Sequence, residues 1–194
     1  KNKTKLQDAY LVRKKLHELT EKNRLYDELE ARNGKQTARM RQLLGQCENA
    51  SPAETKSLLK RIFLLGTYVK RSANLYFLSR EYEFLPQQEL RLTVDEAVRA
   101  LTACGTECGV IYRTTKPMRS DEVARIFGLL KIVAEATVDD LRSLFISVSD
   151  SEMALSAECF SDLSRIATDE VTVCFEDGLW LIRTRIGGGE NAQA

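Results

Sequence analysis

The apolar positions in the first part of the chain repeat at helical spacing. Residues 4–46 contain no proline and are rich in Leu, Lys, Arg, Glu and Gln, which all favour helix. One stripe of apolar positions is typical of a coiled coil: Val12, Leu16, Leu19 and Tyr26. The dipeptide Asn33-Gly34 breaks this pattern and predicts a kink or an end to the helix there.

A second long helix is predicted to begin at a capping box. Ser51-Pro52-Ala53-Glu54 combines a capping hydroxyl, a proline at the first helical position and a glutamate three residues after the serine. The seam that follows has heptad spacing: Leu58, Ile62, Leu65, Val69 and Tyr76. Because only residues 47–50 join the two helices, they are expected to fold back as an antiparallel hairpin. A single hairpin would expose the seam, so we expect these five residues to form a homodimer interface in a four-helix bundle.

Beyond Pro86 the long helical pattern gives way to shorter segments. Thr93-Val94-Asp95-Glu96 has the sequence of another capping box and predicts a helix from there to about Ala103. A further helix is predicted over 121–136. Strands are predicted over 109–113, 144–148, 153–159, 171–175 and 179–186, with a short helix before the fourth. Helices on one face of a mixed sheet make a two-layer α/β sandwich.

The chain is therefore predicted to be α+β, with a helical hairpin over 1–82, a sandwich over 83–188 and a disordered tail over 189–194. It begins at Lys1 rather than Met, so we expect a piece of a longer protein with a targeting or membrane region upstream. The longest apolar run, residues 62–69, is far shorter than the roughly 18–20 residues that cross a bilayer. The expected location is cytoplasmic, either free or as the cytoplasmic part of a membrane protein.

Charge is nearly balanced over the whole chain but not along it. The 29 basic and 28 acidic residues give a net charge of +1, which argues against a dedicated nucleic-acid binder. Residues 1–46 hold 12 of the basic and 6 of the acidic residues, a local charge of +6. Such a helix either engages nucleic acid or anionic lipid or is simply a solvated surface. The acidic pair Asp139-Asp140 is predicted to lie on a solvated face.

The cysteines and the single histidine exclude several kinds of site. The five cysteines form no CxxC pair, and no clustered set of four Cys or His ligands is present for zinc. We therefore expect no metal site and reduced thiols. A Ser-His-Asp or Cys-His site would have to use His17, which lies in a highly charged helical stretch, a poor setting for a buried triad.

A two-helix dimerisation hairpin followed by a small α/β sandwich is the layout of the sensor histidine kinase core. Residues 128–136, GLLKIVAEA, resemble the N box of that family, and residues 171–186 resemble the hairpin that ends its ATP-binding domain. Residues 58–78 resemble the second dimerisation helix, and residues 21–28 resemble helix one of divergent bacterial members. Over nearly its whole length the chain is similar to a divergent sensor histidine kinase core.

The resemblance implies an ATP–Mg²⁺ site, and the chain departs from the family at the positions that carry this chemistry. An N-box asparagine holds Mg²⁺ in the family, but Ile132 stands there and offers no lone pair, and Gly128 replaces the other asparagine. The adenine-reading motif DxGxG is best matched at Asp162, without either glycine. Only residues 163–170 separate Asp162 from the next predicted strand, so the family's ATP lid is predicted to be absent.

The phosphoacceptor of the family is an exposed histidine on helix one, followed by an acidic residue. The equivalent position in this chain falls near Ala31, which is chemically inert. His17-Glu18 has the right dipeptide but lies about four helical turns upstream. His17 is the candidate phosphoacceptor, and the alternative is an ordinary solvated histidine of a helix.

Three functions remain open from the sequence. The first is a dimeric relay or scaffold in two-component signalling, a pseudokinase without a cofactor that links an upstream sensor to an unknown signalling protein. The second is an active, divergent histidine kinase that uses ATP and Mg²⁺ and phosphorylates His17. The third is a binding module whose basic helix 1–46 engages nucleic acid or an anionic membrane. Loss of the metal ligand, the lid and the phosphoacceptor together favours the first, with no enzymatic activity and no nucleic-acid partner.

Overall fold

The computed structural model describes the backbone of residues 2–187, and the side chains of that range except those of residues 2–11 and 32. The described chain divides into two compact units, with the boundary after Arg39. The tail over 189–194, predicted from the sequence to be disordered, lies outside the described residues.

Helix α1 runs over Asn2–Cys47. It continues through Asn33-Gly34, so the predicted end at that dipeptide is wrong. A glycine inside a helix costs about 1 kcal/mol relative to alanine, and the strong helix formers on both sides outweigh this. The apolar stripe on this helix is exposed, with between 53% and 66% of each residue accessible: Val12, Leu16, Leu19 and Tyr26.

Helix α2 spans Pro52–Glu81 and begins at the predicted capping box. The Ser51 hydroxyl accepts a hydrogen bond from the backbone N–H of Glu54 at 3.4 Å. In return the Glu54 carboxylate accepts from the backbone N–H of Ser51 at 2.9 Å and from its hydroxyl at 2.7 Å. Both donors at the helix start are therefore satisfied, and the predicted capping box is confirmed.

The sandwich contains two helices and two sheets. Helix α3 spans Gln87–Ala103 and helix α4 spans Ser120–Thr137. The strands are β1 (Phe84–Leu85), β2 (Glu107–Arg113), β3 (Met118–Arg119), β4 (Ser143–Ser149), β5 (Glu152–Glu158), β6 (Val171–Glu176) and β7 (Leu179–Arg185). The larger sheet has the order β2-β4-β5-β7-β6, in which β2 and β4 are parallel and the remaining pairs are antiparallel. This mixed sheet after helices is the predicted α+β architecture.

The last two strands form the hairpin that the sequence predicts. The turn between them consists of Asp177 and Gly178, whose φ angles are 50° and 82°. Two positive φ values fit a two-residue type I′ turn, and Asp-Gly is a preferred sequence for that turn. The turn sets the register, in which Phe175 lies opposite Trp180.

A second, two-stranded sheet was not predicted. Strand β1 pairs antiparallel with β3, with Leu85 opposite Met118. The backbone N–H of Ser120 also donates to the carbonyl of Glu83 at 2.8 Å. Strands of two residues are too short to show an alternating pattern in a sequence.

The predicted start of α3 at Thr93 is wrong, because the helix begins six residues earlier, directly after Pro86. Thr93 is fully buried in its interior, and its hydroxyl donates to the carbonyl of Glu89 at 2.7 Å instead of capping. Leu90 and Val94 belong to the same buried face, which extends the helix upstream of the apparent capping box.

One face of the larger sheet is covered and the other is open. In β4 the alternating residues Leu144, Ile146 and Val148 are buried, whereas Phe145 between them is exposed. The buried residues of β4 join those of α3 and α4 in one continuous core. This is the predicted two-layer arrangement, with helices against a single face of the sheet.

Helix α2 packs against α3 and α4. Leu64, Tyr68 and Leu75 of α2 belong to the same core as the sandwich residues. Within the described part of the chain, no helix combines the length and the apolar character needed to cross a membrane.

Candidate functional site

The N-box positions of the resemblance, residues 128–136, run from the middle of α4 to near its end. Ile132 is 49% exposed there, and Gly128 lies half-buried one turn earlier. A Cβ atom at Gly128 would meet no other atom within 4 Å, so packing does not require a glycine at this position. The hydrocarbon of Ile132 presents no lone pair to a metal ion.

Asp140, in the loop after α4, binds the segment that follows β5. Its carboxylate accepts hydrogen bonds from the backbone N–H of Phe160 at 2.9 Å and of Ser161 at 2.7 Å. It also accepts from the Ser161 hydroxyl at 3.0 Å. Consecutive backbone N–H groups can make an anion site, but here a carboxylate of the same chain already uses them.

Phe160 is held outward by this arrangement. Its ring is 79% exposed, and the guanidinium of Arg142 lies 4.6 Å from the ring centroid. Arg142 also pairs with Glu158 at 3.5 Å. Residues at and just after the end of β5 are therefore in contact with Arg142 of the same chain.

Asp162, the candidate adenine-reading residue, serves a local turn. Its carboxylate accepts from the backbone N–H of Ser164 at 2.9 Å, at the start of the 3₁₀ turn Ser164–Ile166. The hydrogen bonds from Ser164 hold the pKa of Asp162 below its usual value. The side chain is exposed, and it stabilises the turn in the way that aspartate commonly does.

The segment between Asp162 and β6 is compact. After the 3₁₀ turn, the Thr168 hydroxyl accepts from the backbone N–H groups of Glu170 at 3.3 Å and Val171 at 3.1 Å. The backbone N–H of Thr168 donates to the carbonyl of Val171 at 3.0 Å, which closes the turn. These eight residues form two tight turns and leave no length for a lid.

The residues at these positions do not fit ATP and Mg²⁺. Ile132, at the position that resembles the family's metal ligand, is aliphatic, and the carboxylate of Asp162, the candidate adenine-reading residue, caps a turn. Among the described side chains, no group of three or more His, Cys, Asp or Glu residues could hold a metal ion.

Comparison with known proteins gives matches only among solved structures. No family profile and no curated protein matches the chain. The histidine kinase domain of the blue-light-activated histidine kinase EL346 from Erythrobacter litoralis is 14% identical, covers 77% of this chain and 95% of its own, and has a TM-score of 0.39. For the histidine kinase AdeS from Acinetobacter baumannii these values are 15%, 78%, 95% and 0.34. A third solved structure, of the blue-light-activated histidine kinase EL346 from Erythrobacter litoralis, is 11% identical, covers 75% of this chain and 62% of its own, and has a TM-score of 0.37.

The other candidate residues lie on the two long helices. His17 is exposed on α1, beside exposed Glu18. Of the five positions predicted to form the dimer interface, four are half-buried in the single chain: Leu58, Ile62, Val69 and Tyr76. Leu65 is only 3% exposed, so most of its surface is already covered within the chain.

The sequence predicts that the acidic pair Asp139-Asp140 lies on a solvated face. In the structure, both carboxylates also bind other parts of the chain. Asp139 accepts from the Ser57 hydroxyl at 2.5 Å and pairs with Arg61, both on α2. Burial raises the pKa of Asp139, but the contacts with Ser57 and Arg61 outweigh this and hold it below the usual value. Each carboxylate thus ties the loop after α4 to a different element, and sequence reasoning missed both roles.

A cleft of about 660 Å³ lies at the other end of α4, beside the adjoining ends of β6 and β7. Arg125 crosses it, pairing with Glu170 at 3.0 Å and donating to the carbonyl of Arg185 at 2.7 Å. Four arginines and five carboxylates line this cleft. The two signs are so evenly mixed that the lining selects neither an anion nor a cation, and the sequence showed no motif for it.

Proposed function

We propose that the chain is a dimeric, catalytically inactive relay of the histidine kinase type, a pseudokinase that passes a signal from an upstream sensor to a partner in bacterial two-component signalling. The observation that carries this proposal is the chemistry at two positions that resemble the family's nucleotide site: Ile132 offers no lone pair to a metal ion, and the Asp162 carboxylate accepts from the backbone N–H of Ser164. A cytoplasmic location is part of the same proposal.

The absence of phosphoryl transfer is the first expected result. Incubated with Mg²⁺ and ATP labelled on the γ-phosphate, the purified chain should acquire no protein-bound label, because Ile132, at the position that resembles the family's metal ligand, offers no lone pair to Mg²⁺. An active histidine kinase core assayed in parallel is the positive control.

Labelling of the wild-type chain would contradict the relay proposal. The variant His17→Gln would then separate the alternatives. Label lost in that variant would support a kinase that phosphorylates His17, and label retained would place the phosphoacceptor elsewhere.

Dimerisation is supported by the exposed stripe on α1. Its four apolar residues have coiled-coil spacing and are more than half exposed in the single chain. A second copy is the simplest partner for such a stripe, because identical helices offer the same spacing. In the second unit, the predicted seam of α2 includes half-buried positions such as Leu58 and Ile62.

Replacing both Leu16 and Leu19 with lysine should weaken the dimer at least about 1,000-fold. Each buried leucine contributes about 1.5–3 kcal/mol, and a symmetric dimer would lose four of them. Sedimentation equilibrium should show the wild-type chain at twice 22.0 kDa and the variant near 22.0 kDa at micromolar concentration. Lys14→Ala, which changes the opposite side of the coiled-coil repeat, is the matched control and should leave the dimer intact. A wild-type monomer, or a dimer in the double variant, would argue against this interface.

A further inference from the structure

One stripe of α2 contacts the sandwich along most of the helix. Its members repeat at spacings of 4, 3, 4, 3 and 4 residues: Ser57, Arg61, Leu64, Tyr68, Arg71 and Leu75. At 1.5 Å per residue the stripe is about 27 Å long. Each of the five residues of the predicted dimer seam directly follows a residue of this stripe, so α2 has two adjacent heptad faces.

The C-terminal part of this stripe is fixed by a buried charge. The Arg71 side chain is 3% exposed, and its Nε donates to a carboxylate oxygen of Glu96 at 2.6 Å. Its Nη1 lies 3.8 Å from a carboxylate oxygen of Glu89, which precedes Glu96 on α3 by about two turns. Removing a guanidinium from water is unfavourable unless it is paired, so separating α2 from α3 would require this whole cluster to be rehydrated.

The N-terminal part is fixed to the loop after α4. Asp139 accepts from the Ser57 hydroxyl and pairs with Arg61, which lie one turn apart on α2. These contacts hold α2 to the end of α4, whereas Arg71 holds it to α3. Two attachments to different elements, at opposite ends of one stripe, resist rotation as well as separation.

Between the two polar attachments the contact is apolar. Tyr68 is almost completely buried, and its ring centroid lies 5.2 Å from that of Phe127 on α4. Leu64 and Leu75 on either side of it also belong to the core of the sandwich. The stripe is therefore continuous with that core.

We propose that α2 and the sandwich form a single rigid body, locked along this stripe, so that any movement of α2 is transmitted to the sheet without a hinge between them. One heptad face of α2 holds the sandwich, and the neighbouring face is left for helix partners. The inference rests on contacts among residues 52–139 and is independent of whether the chain is an active kinase.

Hydrogen exchange of the wild-type chain tests this proposal first. Amides of α2 over 64–75 and amides in the middle of α4 should exchange through the same opening, with protection factors that agree within about threefold. They should also respond equally to low concentrations of urea. Protection of α2 more than tenfold lower than that of α4 would show that the helix opens alone, and would overturn the proposal.

A distance measurement tests rigidity directly. Spin labels can be placed on Cys174, an exposed thiol on β6, and on the variant Lys56→Cys at the exposed start of α2, with Cys47 and Cys108 replaced by serine. Diluting labelled chain with unlabelled chain removes signals between copies. Pulsed electron spin resonance should give one narrow distance distribution, unchanged by Lys70→Ala. A broad or two-peaked distribution would contradict a rigid body, whatever the result with ATP.

Discussion

Replacing Arg71 with alanine should lower the free energy of unfolding by about 3–5 kcal/mol, because it removes a buried cation and leaves its partly buried acidic partners unpaired. The side chain of Arg71 is 3% exposed, and that of its partner Glu96 is 19% exposed. Urea denaturation followed by far-ultraviolet circular dichroism, at one fixed protein concentration, measures this change.

Lys70→Ala is a matched control for this variant. Lys70 precedes Arg71 in the sequence and approaches the same Glu96 carboxylate at 3.8 Å, but its side chain is 73% exposed. An exposed pair contributes about 0–1 kcal/mol, so this variant should remain close to the wild type. Equal losses of unfolding free energy in Arg71→Ala and Lys70→Ala would contradict a stabilising role for the buried Arg71 side chain.

The pH dependence of the difference in unfolding free energy between the wild type and Arg71→Ala is a further check on the pairing of Arg71 with Glu96. The hydrogen bond from Arg71 holds the pKa of Glu96 below its ordinary value of 4.5. A lowered folded-state pKa gives stability that is present above the unfolded value and is lost as the pH falls through the folded value. The difference between the wild type and Arg71→Ala should therefore shrink below about pH 4.5.

Phe127→Ala should lower the free energy of unfolding by about 3–5 kcal/mol, the range for truncating a buried aromatic side chain. Phe127 is 2% exposed and contacts Tyr68 across the boundary between α4 and α2. The same urea titration should show a lower midpoint with an unchanged slope.

Phe160→Ala removes the same atoms from an exposed position. Phe160 is 79% exposed, and its ring contacts Arg142. We expect a loss of less than about 1 kcal/mol, since little apolar surface returns to water. A loss in Phe160→Ala as large as that in Phe127→Ala would contradict the assignment of Phe127 to the core.

Features encoded by neighbouring residues could be predicted from the sequence. The capping box at Ser51 and the Asp177-Gly178 turn each depend on a few adjacent residues, whose chemistry is sufficient to specify the geometry. Strands β4 and β5 were also recognisable, because buried apolar residues occur at every second position.

Features that depend on distant partners could not be predicted. Arg71 and Asp139 have the sequence context of solvated charges. Only in the folded chain does α3 lie beside Arg71 and α2 beside Asp139. The sequence 93–96 satisfies the rule for a capping box, but tertiary packing buries Thr93 and extends the helix past it.

The sequence shows which residue types stand at the positions that resemble the family's site, but not which contacts those segments make. Ile132, at the position that resembles the metal ligand, is visible in the sequence. The occupation of the Phe160 and Ser161 amides by Asp140 depends on two loops that are 20 residues apart and meet only in the fold.

Calorimetric titration of the purified chain with ATP in excess Mg²⁺ is the most direct test of whether the nucleotide site has been lost. We expect no saturable heat at high micromolar protein, because aliphatic Ile132 stands at the position that resembles the metal ligand, and the candidate adenine-reading carboxylate of Asp162 caps a turn. An active histidine kinase core titrated under the same conditions shows that binding would be detected. Saturable binding of ATP to this chain would contradict the loss of the site and make an active kinase the better explanation.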